Sequence, residues 1–140
     1  MEVITDCWGK VGTGELLFGQ HIMNEGTLRV YVYHGLDVGS ELGKRFYRHN
    51  EAGYAGHCLL AFHGVRKFNF YASEYSEENG ETVWHEPVIS TYNDEAQIGA
   101  STFWIGGSLC GFLSFVEMEI EAKTFEIQIL DEGVLSRRRV

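Results

Sequence analysis

Six histidines, three cysteines and 20 acidic residues are the groups able to carry chemistry in this chain. Their spacing restricts what that chemistry can be. His57 and His63 flank the apolar run Cys58-Leu59-Leu60-Ala61-Phe62. On one extended strand they share a face but lie about 20 Å apart at ~3.3 Å per residue, too far to hold one metal ion together. Hydrogen-bonded sheet histidines are the simpler reading. His85 and Glu86 are neighbours and face opposite ways on a strand. No His-x-His, His-Glu-x-x-His or Cys/His ligand spacing occurs. Gly9 to Gly14 has the glycines of a phosphate loop without its Gly-Lys-Ser/Thr ending. Gly106-Gly107-Ser108-Leu109-Cys110 carries Cys110 where a nucleophile elbow needs its last glycine. Cys58 and Cys110 sit in apolar runs with no adjacent base to form a thiolate. No catalytic residue, metal or cofactor is expected.

Two constellations suit binding instead. Glu117, Glu119 and Glu121 alternate with Val116, Met118 and Ile120, so they line one strand face about 7 Å apart. That spacing is too open for two carboxylates to share a proton. The row reads either as a solvated face or as a negative surface that receives Lys or Arg from a partner, with calcium a lesser alternative. Glu126 is expected to join it across a turn. Arg29, Tyr31 and Tyr33 alternate with Leu28, Val30 and Val32. Tyr and Arg dominate binding hot spots, although tyrosines on a strand also simply cover the sheet through cross-strand pairs.

The elements that must position these groups are strands. From Val116 to Ile129 the pattern has a period of two, with a parity flip near Ala122-Lys123-Thr124. A flip marks a turn between two antiparallel strands, or one strand with a bulge. Glu15–Met23 and Thr27–His34 form a hairpin around Asn24-Glu25-Gly26, and Asn79-Gly80 closes a second one. Pro87 places the return strand, Thr82–Ser90, at an edge. Cys58–Phe62 is apolar on both parities, as a central strand is. Thr102–Ile105 is read as a strand broken by Gly106-Gly107. Residues 35–56 are the least patterned, with Ser40 a candidate cap for a helical turn and Phe46–His49 a strand. The expected core holds Val30, Leu60, Phe62, Phe68, Phe70, Met118, Ile120 and Ile127.

These elements specify an all-β fold: an antiparallel β-sandwich or strongly curved sheet of roughly eight to ten short strands, with a closed calycin-like barrel as the alternative. The 140 residues form a single domain, with 135–140 expected as a frayed tail. Seventeen glycines and one proline fit sheets joined by tight turns. The net charge is −9, and removing the terminal Arg137-Arg138-Arg139 cluster leaves −12. A chain this acidic is a poor nucleic-acid binder, because phosphate contact needs a basic patch. Its charge suits solubility or a basic protein partner. An odd number of cysteines without paired spacing, no apolar run of about 18 residues and no signal peptide point to a reducing cytoplasmic setting and no membrane.

The phrases Leu59-Leu60-Ala61-Phe62-His63-Gly64-Val65 and Val116-Glu117-Met118-Glu119-Ile120-Glu121-Ala122 resemble those of small acidic all-β immunity proteins of bacterial polymorphic toxin systems. The resemblance implies stoichiometric binding of a toxin without catalysis or cofactor. Cys7-Trp8-Gly9 resembles the tryptophan segment that closes a lipocalin barrel, which would imply a small-ligand pocket instead, although the order is not Gly-x-Trp. An enzyme with an unrecognised site is the third class. The expected function is non-catalytic protein binding through Glu117, Glu119, Glu121, Arg29, Tyr31 and Tyr33.

Overall fold

The computed structural model describes residues 1–98 and 100–133. The tail expected at 135–140 and the Arg137–Arg139 cluster lie outside the described residues. Period-two patterning becomes strand along most of the chain. In order, these are β1 (Glu2–Thr5), β2 (Leu16–Asn24), β3 (Thr27–His34), β4 (Leu36–Asp37), the helical turn α1 (Gly39–Gly43), β5 (Arg48–His49) and β6 (Tyr54–Gly56). They continue as β7 (Cys58–His63), β8 (Lys67–Glu78), β9 (Glu81–Trp84), β10 (Val88–Asn93), β11 (Ser101–Leu109), β12 (Ser114–Ala122) and β13 (Thr124–Ile129).

The main sheet runs β1-β13-β7-β3-β2-β11-β12-β8-β10, with β9 also paired to β8. All its pairings are antiparallel except a short parallel join of Leu16–Phe18 to Gly107–Leu109 between β2 and β11. Phe62 on β7 and Phe103 on β11 lie 5.4 Å apart between ring centroids, yet the two strands are three places apart in the sheet order. In a flat sheet that separation would be about 14 Å, at ~4.8 Å per strand. The sheet therefore folds into two facing layers. One holds β1, β13, β7, β3 and β2. The other holds β11, β12, β8, β10 and β9. All eight expected core residues are buried, and the core cluster draws on both layers. Among the described residues β1 and β10 remain unjoined as the two ends of the sheet order, so the closed-barrel alternative is wrong and the sandwich-like curved sheet is right.

The parity flip has a tertiary cause. β12 and β13 do not pair with each other, so of the two readings of this stretch the hairpin is wrong and the single irregular strand is right. They are one bent strand that passes between the layers at Lys123. β12 pairs with β8 from Ser114↔Glu74 to Glu121↔Lys67, and β13 pairs with β7 from Thr124↔His63 to Ile129↔Cys58. The β7–β8 segment bends at the same place with one more residue in its corner than the β12–β13 segment has. The extra residue offsets the register by one, so the apolar side chains of both segments still point inward on each side of the bend.

Both expected hairpins are present. Glu25-Gly26 and Asn79-Gly80 have φ of 52° and 77°, and of 53° and 80°, as a two-residue type I′ turn requires. β11 runs unbroken through Gly106-Gly107, contrary to expectation, because Gly107 is where the β2 backbone comes closest. Gly107 has φ of 152°, and a Cβ there would overlap the Leu16 carbonyl. Residues 35–56 build a small three-stranded sheet, β4-β6-β5. Ser40 lies within α1 rather than capping it, and the N-cap position is Val38. Among the described residues no helix is long and apolar enough to cross a membrane.

Gly107→Ala should therefore destabilise the protein by roughly 1–3 kcal/mol or more through overlap at the layer join. Ile120→Ala should cost about 2–5 kcal/mol through a cavity. Urea denaturation of the two variants checks both figures.

Candidate functional site

The expected binding residues fall on two outward faces that belong to different layers. Arg29, Tyr31 and Tyr33 lie on the outside of β3, beside β7 and β13. Tyr31 is only 5% exposed and packs with Leu59, Leu130 and Tyr33 in a second small apolar cluster. Arg48, from the segment between β3 and β7, stacks 4.2 Å above the Tyr33 ring. His57 Nε2 meets the Asp131 carbonyl at 2.7 Å, so it donates, and Nδ1 accepts from the Tyr31 hydroxyl at 2.9 Å. Burial pushes the Tyr31 phenol up to about 12, with the nearby Arg48 opposing it. Tyr31 is thus a packed, hydrogen-bonded structural residue, not a free contact residue.

Arg29 and Glu126 belong to one cross-strand row on this face, either side of Ala61. The expectation that Glu126 joins the glutamate row is therefore wrong, since it faces outward from the opposite layer. His63 bridges Glu126 Oε1 at 2.9 Å and Thr27 Oγ1 at 3.2 Å. A hydrogen bond from Gln128 is the main cause that holds the Glu126 carboxyl below its ordinary value of 4.5. Partial burial works against it, and His63 and Arg29 reinforce it. His63 is thus a hydrogen-bonded sheet histidine, whereas His57, expected on the same strand, stands in the bend between β6 and β7 with φ of 56° and is held there by its two hydrogen bonds. Among the described residues no three His, Cys, Asp or Glu side chains stand close enough to hold a metal.

The other outward face belongs to β11, β12, β8 and β10. Glu119 accepts a 2.9 Å hydrogen bond from Asn69. Glu121 faces Arg66 and Lys67 at 3.7 and 4.0 Å. Glu117 is exposed, and no side-chain partner is recorded for it among the described residues. The row is therefore graded, from an internally neutralised end at Glu121 to a free end at Glu117. Around the free end stand apolar groups that the linear pattern left unassigned. Trp104 lies directly opposite Glu119, and Ile89, Tyr71 and Glu117 form one cross-strand row. Phe115 lies 6.2 Å from Tyr71 between ring centroids. Trp104, Phe115 and Ile89 are 52%, 45% and 66% exposed. Phe115 shares the parity of Glu117 and was open to view in the sequence. Trp104 was hidden by reading β11 as broken beside it.

No family model, curated protein or solved structure matches this chain. The chemistry available to it has to be read from its own surface. Open depressions of about 350 Å³ each lie between Arg45 and Asp131 and between Trp8 and Lys123. One is bordered by Trp8, whose ring stands edge-on to Phe103 and Phe125 at 4.9 and 5.0 Å. Trp8 thus packs against the core, in which Phe18, Phe46 and Phe62 are fully buried. Cys7, Cys58 and Cys110 are all free thiols. Burial raises the Cys7 and Cys58 values, which disfavours the nucleophilic thiolate.

Because Glu126 titrates lower when folded, its contribution to stability is complete above pH 4.5. It disappears as pH falls through the depressed native value. Glu126→Gln should lower stability at neutral pH, and its difference from the native protein should close below pH 4.5, as followed by urea midpoints against pH. Tyr31→Phe should remove the phenol that ionises near 12 from an ultraviolet titration. It should also cost about 1–3 kcal/mol by leaving His57 Nδ1 without its donor.

Proposed function

We propose that the chain is a non-catalytic module that binds a basic protein on the outer face of β11, β12 and β8. One observation carries this reading: Trp104, Phe115 and Ile89 are substantially exposed on the same sheet face as the unpartnered Glu117. Exposed aromatic groups supply contact energy once water is excluded. An unpaired carboxylate among them favours a cationic counterpart, and the net charge of −9 attracts such a partner over distance. The reading fits stoichiometric neutralisation of a basic toxin in the cytoplasm, the role implied by the resemblance at 59–65 and 116–122. Arg29, Tyr31 and Tyr33 lie outside this interface, because they stand on β3 in the opposite layer, where Arg48 also lies over Tyr33 and Tyr31 is buried.

A partner co-purified from the native host and then produced separately provides the test. Glu117→Lys should slow its association, with the loss shrinking as salt rises. Trp104→Ala should speed its dissociation, at a cost of about 2 kcal/mol or more if it is an anchor. Both variants should keep their unfolding free energy within about 0.5 kcal/mol of the native protein. Unchanged rates for both variants in surface plasmon resonance would remove this face from the interface.

A further inference from the structure

The strand at the end of the second layer, β10, has an uncovered side. It closes the sheet order at that end, and among the described residues no strand pairs with its outer edge. Asp94 N–H donates to the Arg66 carbonyl at 2.7 Å, and the register continues from Asn93↔Lys67 to Val88↔Ala72. In an antiparallel ladder hydrogen-bonded pairs alternate. Tyr92, Ser90 and Val88 therefore direct their backbone groups to β8, and Ile89, Thr91 and Asn93 direct theirs outward. Val88 and Ile89 are 62% and 66% exposed on opposite faces of the strand. The six residues of β10, VISTYN, carry no charge.

The chain on either side of this neutral strip is acidic, and the two cations across from its far end, Arg66 and Lys67, already face Glu121. Between Glu74 and Glu95 the sequence has seven Asp and Glu residues and no Lys or Arg, so this segment alone carries −7 while the whole chain carries −9. Natural sheet edges are commonly protected by charge, Pro or a bulge. Pro87 and an offset of one residue do protect the junction of β9 and β10, but they stop short of β10. A second copy placed edge to edge would bring two such acidic segments together. An extended cationic segment is the complementary occupant.

We propose that β10 is a strand-addition site for an extended, basic segment of the protein partner. This rests on the protein-binding reading above and adds its mode of recognition. The added strand bonds to the outward backbone groups of Ile89 and Thr91. Its apolar side chains cover Val88 on one face, and its Lys or Arg side chains meet the carboxylates around the strip.

A short peptide of alternating Lys and Val with blocked ends is the probe, and the same peptide with Glu in place of Lys is the control. The Lys peptide should bind saturably and slow hydrogen exchange at the Ile89 and Thr91 amides, while the Glu peptide should do neither. Thr91→Pro removes an N–H that faces outward, so the fold should survive, as Pro is tolerated at such edge positions. It should weaken the Lys peptide by about tenfold or more. The proposal is overturned if the Lys peptide leaves both amides unprotected, if Thr91→Pro binds it as well as the native protein does, or if the native protein dimerises through β10 in sedimentation. Should Thr91→Pro not fold, amide protection in the native protein decides alone. A cognate partner weakened by Trp104→Ala but indifferent to Thr91→Pro would refute strand addition while leaving the binding face intact.

Discussion

The fold depends on one paired corner. Cys58–Glu74 and Ser114–Ile129 stay hydrogen-bonded partners from one layer to the other, with Lys123 N–H donating to the His63 carbonyl and Arg66 N–H to the Glu121 carbonyl where they bend. An extra residue in one strand of a two-stranded ribbon bends it and is one way for strands to pass from one layer to another. The one-residue offset between the two registers is that extra residue. It lets Phe68, Phe70, Met118 and Ile120 on one side of the bend face the same interior as Phe62, Phe125 and Ile127 on the other. The parallel join at Gly107 then brings β2 against β11, where a side chain would collide with the Leu16 carbonyl.

The corner also separates the two outward faces. Because the layers share their inner sides, Tyr31 and Glu117 point away from a common core and cannot meet one flat partner together. The faces have different fates. Arg48 lies over Tyr33 on the first, where Tyr31, Tyr33 and His57 form a packed polar-aromatic cluster. The second keeps Trp104, Phe115 and Ile89 in contact with solvent and ends in β10, whose outer edge has no strand partner among the described residues. A sheet has only two ways to satisfy an outward row, by covering it or by leaving it to water and partners, and this protein uses one on each layer.

Local pattern was sufficient for the strands, because alternation depends only on which side chains must avoid water. Val116, Met118 and Ile120 against Glu117, Glu119 and Glu121, the two Gly-containing turns, the central β7 and the edge position announced by Pro87 were all legible in this way. Strand partners were not, because pairing is chosen by contacts between residues far apart in the chain. Hence β12 and β13 could be a hairpin or one irregular strand, Glu126 looked like a member of the glutamate row, and Trp104 had no visible place beside Glu119. The sequence also set the charge and the residue types of the binding groups. Which of them are exposed was decided only by tertiary structure. Tyr31 and Trp104 are both large aromatic groups on outward-facing strand positions, and only the tertiary packing of Leu59, Leu130, Tyr33 and His57 around the first makes it buried while the second is open.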